Sequence, residues 1–140
     1  MLSILVGAVA LFAFGALWFT VIFGKTWARL MGFTADKMTP EEQNKAKEMG
    51  MTKPLILNFI TTIITASVVY YIFPQILTLS FSEFLKIMLI IWLGFGFPIY
   101  ANAAIWERKS WKLVLINSAS GIISVVIIAS IIYYMNPSIY

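Results

Sequence analysis

The polar side chains available for chemistry inside the apolar stretches of this chain are amides and hydroxyls: Asn58, Asn102 and Asn117, joined by Thr61, Thr62 and Ser120. Asn58, Thr61, Thr62 and Thr65 recur at helical spacing, as do Asn117, Ser120, Gly121 and Ser124, so each set shares one helix face. In an antiparallel hairpin about Arg108–Lys109, positions equally far from the turn lie at equal depth. Asn102 then matches Asn117, Pro98 matches Gly121, and Asn58 falls at a comparable depth beyond Pro54. Two uses of such a layer stand side by side. It can be packing glue between membrane helices, worth about 1 kcal/mol per hydrogen bond. Alternatively it lines a ligand pocket open to the cytosol, formed by Trp18, Asn58, Thr62, Asn102, Asn117 and Ser120. The opposite half offers only Ser67 and Ser130, which argues against a continuous polar pore.

A second group gathers cations and aromatics. Lys25, Arg29, Glu107, Arg108, Lys109 and Lys112 surround Trp27, Trp106 and Trp111. At headgroup level these residues suit a lipid phosphate or an anionic metabolite, and equally serve as topology charges with interfacial tryptophans. Glu107 is the only acid near the amide layer, and a lone carboxylate at a wet rim is weak support for acid–base catalysis. Cysteine and histidine are both absent, which removes thiol nucleophiles, disulfides, zinc sites and the commonest general base. No metal, cofactor or nucleic-acid partner is expected.

The elements that must position these residues are four apolar runs, residues 2–23, 54–73, 81–105 and 111–135. Each is long enough to cross a hydrocarbon core roughly 30 Å thick as a helix, the only form in which a single segment satisfies its own backbone in lipid. Their charged residues, Glu83, Lys86 and Lys112, all lie near the start of a run, where the lysines can snorkel. With 61% apolar and 11% charged residues, the 140-residue chain reads as an all-α membrane protein. One domain over 1–140 is expected: a bundle of four transmembrane helices, with a short cytoplasmic helix in the first loop, 24–53. Thr39-Pro40-Glu41-Glu42 supplies a capping box for that helix, Gly50 can close it, and Glu41 and Lys45 are spaced as an ion pair. Ser80 and Glu83 form a second capping box.

Pro98 removes a backbone N–H from the third run, and Gly94 and Gly96 weaken the helix just before it, so a kink or unwound stretch is expected there. Tyr70, Tyr71, Phe73, Phe81, Tyr133 and Tyr134 read as an aromatic belt. Trp92 falls near mid-membrane, where no belt role is available. Of the ten Lys and Arg residues, six lie in the first loop and Arg108, Lys109 and Lys112 in the third. The positive-inside bias therefore places both loops in the cytoplasm and both termini outside a cell (inner) membrane. Gly7, Ala8 and Gly15 allow a homodimer through the first span or, equally, close packing within the bundle.

Two motifs carry a family resemblance. The first reads Leu17-Trp18-Phe19-Thr20-Val21-Ile22-Phe23-Gly24-Lys25-Thr26-Trp27, followed by Leu30-Met31-Gly32. The second reads Trp92-Leu93-Gly94-Phe95 with Pro98 and Asn102, then Trp106-Glu107, and Trp111-Lys112-Leu113 with Asn117. Together they resemble the bacterial membrane proteins grouped as domain of unknown function 1761, over essentially the whole chain. The resemblance implies four spans and places Lys25, Trp27, Asn102, Trp106, Glu107, Trp111 and Asn117 in the family pattern, without a catalytic role. Val21 and Ile22 depart from it where many members carry proline, so a kink there is expected to be missing. The expected function is a non-enzymatic membrane module that binds a lipid, a small anion or another membrane protein from the cytoplasmic side. An oligomeric transporter or channel is the alternative, and a small lipid-modifying enzyme built on Glu107 a third.

Overall fold

The computed structural model describes residues 1–76 and 80–136; the end of the second connection and the tail beyond Asn136 lie outside them. Four apolar helices are long enough to span a membrane: span one, Leu2–Ile22; span two, Thr52–Ile72; span three, Phe81–Ile105; and span four, Trp111–Met135. Among the described residues there is no strand. The chain is an all-helical, multi-pass membrane protein.

Span four is the hub, packing against each of the other three, while span one also packs along span two. One end of the bundle, here the terminus end, holds Met1 and Asn136, and the other holds the first and third loops. At the terminus end, Ser3 Oγ donates to Asn136 Oδ1 at 3.3 Å, and Asn136 Nδ2 donates to Ile132 O at 2.7 Å. The buried core sits in this half, where Ala8, Ala66, Phe73, Phe84, Ala129 and Ile132 are almost completely covered. Gly7 lets span one approach so closely that a Cβ there would collide with Ile128 Cδ1. Gly7 and Ala8 are thus used inside the bundle, whereas Gly15 has nothing within 4 Å of its missing Cβ.

Phe73, expected in the aromatic belt, belongs instead to the core, packed edge-on against Phe84 and Tyr133 at 5.1 and 5.7 Å. Tyr71 and Tyr134 keep the exposure a belt needs. Towards the loop end, span two loosens: Leu55, Ile56, Leu57 and Ile60 all face outward. Phe59, meeting Phe12 of span one at 5.5 Å, is its anchor in the loop-end half.

Two spans leave the α geometry. Span three widens to a π-helical stretch at Trp92–Gly96, with Phe97 N–H bonded to Trp92 O. The distortion expected from Gly94, Gly96 and Pro98 therefore takes the form of a wide turn, which absorbs the missing N–H of Pro98. Span one widens too, over Leu17–Ile22, and Phe23 N–H reaches Trp18 O at 2.9 Å. The sequence offers no proline at Val21 or Ile22, and this widening needs none.

The first loop holds two helices. Gly24–Met31, a helix not expected from the sequence, follows span one directly and ends at Gly32 with φ 82°. Pro40–Met49 begins at the Thr39 capping box, with Thr39 N–H bonded to Glu42 Oε2 at 2.7 Å and Glu42 N–H to Thr39 Oγ1 at 3.3 Å. Lys45 pairs with Glu41 at 2.7 Å on an exposed face. Between these helices Gln43 Nε2 ties down Ala35 O and Met38 O, and Lys37 Nζ donates to Arg29 O.

Candidate functional site

Phe73, just past the end of span two, meets Phe84 of span three near the terminus end, and a cleft of about 430 Å³ opens between the two spans midway along their length. Thr65 and Val69 form the span-two wall; Met88, Ile91, Trp92, Phe95, Gly96 and Tyr100 form the span-three wall. Ser120, Gly121, Ser124, Val125 and Ile128 of span four make the floor, and Phe19 of span one closes the loop-end side. No lining residue carries a charge.

The indole of Trp92 is set by two glycines. A Cβ on Gly96 would lie 2.9 Å from Trp92 Nε1, and one on Gly121 would overlap the same nitrogen. The π turn and the facing glycines thus form a slot that seats the indole against span four. Its N–H has no hydrogen-bond partner among the described residues, and the same holds for the hydroxyls of Ser120, Ser124 and Tyr100. Thr65 differs, since its hydroxyl donates to Thr61 O at 3.0 Å. What the cleft offers is an apolar trough with several neutral donors to spare.

Of the six residues expected in the polar layer, Ser120 lines this cleft and the other five do not. Trp18 spends its N–H on Ile116 O of span four at 3.2 Å, tying the π turn of span one to the hub. Thr62 donates to Phe59 O at 2.7 Å within its own helix. Asn58 and Asn102 are exposed, and no hydrogen bond joins them to each other or to Asn117. Asn117 keeps a buried Oδ1 without a partner among the described residues, as does the neighbouring Ser118 Oγ. Trp92, Gly121 and Ser124 were not in that layer, although the mid-membrane position of Trp92 and the shared face of Ser120, Gly121 and Ser124 carried the signal.

The rim residues stay at the loop end. Lys25, Arg29, Trp106, Glu107, Arg108, Trp111 and Lys112 are exposed, and Glu107 forms no ion pair among the described residues. Trp27 is the exception, packed between Phe19, tilted at 5.5 Å, and Phe33, edge-on at 5.8 Å. Phe19 thereby belongs to both the cleft wall and the aromatic cluster under helix Gly24–Met31. Arg108, in the hairpin turn, sits in the left-handed region with φ 56°.

The family model described as "Protein of unknown function (DUF1761)" matches residues 2–133. No curated protein and no solved structure matches the chain.

Proposed function

This chain belongs to the DUF1761 family, and from that premise we propose that it is a non-enzymatic membrane module that binds a lipid in the cleft between spans two and three. The observation carrying this reading is the coincidence, in one cleft, of an apolar lining with donors that have no partner in the protein. A donor facing hydrocarbon without an acceptor costs free energy, so a ligand that brings an acceptor is favoured there. The uncharged lining favours a lipid over a small anion, whose burial without a countercharge is expensive. The lateral opening lets a lipid enter from the bilayer. The covered core at the terminus end makes the cleft a dead end for a solute, which favours binding over transport.

In this reading the loop end faces the cytoplasm, because nine of the ten cations lie there. The exposed cations of the rim then sit against anionic headgroups of that leaflet, each contributing about 1 kcal/mol of surface attraction.

Native mass spectrometry of the protein released from lipid nanodiscs tests the proposal. A discrete retained lipid mass is expected, lost in Gly121→Leu, whose side chain displaces the Trp92 indole into the cleft. Gly15→Leu, at a glycine with open space around it, serves as the control that keeps the ligand. Equal retention in both variants would sink the cleft as the binding site.

A further inference from the structure

The lining also restricts the chemistry of the occupant. Trp92 Nε1–H can only donate, and the hydroxyls of Ser120, Ser124 and Tyr100 can donate as well. No cation or acid lies in the lining, so neither a phosphate nor an amine finds a countercharge. Trp92 is eleven residues into span three, which puts its backbone roughly 16 Å from the helix start at 1.5 Å per residue, close to the bilayer midplane. A phospholipid held by a charged headgroup keeps its ester oxygens near the interface, far from that depth. Only a lipid with an uncharged head can bring an acceptor oxygen so deep. Phe19, Phe95 and Tyr100 line the same cleft and offer flat apolar surface, suited to a compact head, while the tail leaves through the opening between spans two and three.

We propose that the cleft selects a neutral lipid that places a carbonyl oxygen on the Trp92 indole N–H. The proposal rests on the lipid-binding reading above and names the class that the site takes. Two sources share the chemistry, an isoprenoid quinone and a diacylglycerol, and separate arms of one experiment distinguish them.

The full chain in phosphatidylglycerol nanodiscs is doped in turn with ubiquinone-2, dioleoylglycerol or no additive. Retained mass is read for the wild type, Trp92→Phe and Gly121→Leu. Trp92→Phe keeps an aromatic ring in the slot and removes the donor, so the favoured neutral lipid is expected to bind at least tenfold more weakly. Indole ¹⁵N–¹H spectra supply the second readout. One of the five tryptophan N–H signals, assigned by its absence in Trp92→Phe, should move downfield on addition of that lipid. Preference for ubiquinone-2 or for dioleoylglycerol names the source. Retention of phosphatidylglycerol alone, lost in Gly121→Leu but unchanged in Trp92→Phe, would overturn the carbonyl assignment and leave the lipid cleft standing. No retained lipid in any arm, with the Trp92 signal unmoved, would overturn both.

Discussion

Two tryptophans show how much a single donor decides. Trp18 and Trp92 both sit at π turns, but Trp18 N–H is bonded to Ile116 O while Trp92 N–H is unpartnered among the described residues. Trp18→Phe should therefore cost about 1 kcal/mol of stability, the ordinary worth of one hydrogen bond between membrane helices. Reversible unfolding in mixed micelles reads it, and an unchanged midpoint would mean that the bond contributes nothing. Arg108 makes a different point. Its φ of 56° is a conformation that costs a side chain with an ordinary Cβ about 1–2 kcal/mol and that asparagine tolerates. Arg108→Asn is expected to raise stability by about 0.5–1 kcal/mol in the same assay; a fall would show that the guanidinium holds something more valuable than the strain it bears.

At the level of elements, capping and helix widening do the positioning. Helix Pro40–Met49 has no buried residue and stands on its capping box rather than on burial. Thr39→Ala should cost this helix about 1 kcal/mol, visible as faster amide exchange over residues 40–49. The Thr39 backbone N–H, and then its hydroxyl, hold the Glu42 carboxyl below its ordinary range. A carboxyl depressed in the folded state contributes stability above its unfolded pKa and loses it as pH falls through the folded value. The helix should therefore fray as pH drops below the usual carboxylate range, and Glu42→Gln should reduce that dependence while leaving exchange in span four alone. In span three the widened turn has a longer reach. A π turn accommodates one extra residue, which rotates everything beyond it by about 100° relative to an uninterrupted helix. That rotation changes direction without changing position along the chain, and Asn102 lies on an exposed face.

The molecule as a whole is closed in one half and open in the other. Gly7 sets the closed half, where spans one and four meet. Gly7→Val should destabilise the protein by about 1–3 kcal/mol through overpacking against Ile128, with Gly15→Val as the neutral comparison. Equal midpoints for the two variants would mean that the interface yields freely. Because the chain has no cysteine, single cysteines can report its orientation without background. A cysteine replacing Lys45 should react with a membrane-impermeant maleimide only after the cells are opened, and one replacing Ser82 should react in intact cells. The reverse pattern would invert the topology.

How much of this was legible depends on which physical forces act locally. Apolar length and composition set the four spans, because lipid demands that each helix satisfy its own backbone. The Thr39 and Ser80 capping boxes were readable because every group they need lies within four residues. The family was readable from short motifs, and the match over 2–133 establishes it. The site was not readable to the same degree: the sequence supplied Ser120, the odd placement of Trp92 and the face holding Gly121 and Ser124, but it grouped the amides instead. Depth follows from counting residues, whereas facing depends on helix phase and on which neighbours pack. Two widened turns changed the phase, and a gap opened between spans two and three midway along their length. Local sequence thus determined what each helix is, and only tertiary packing decided which donors were left for a ligand.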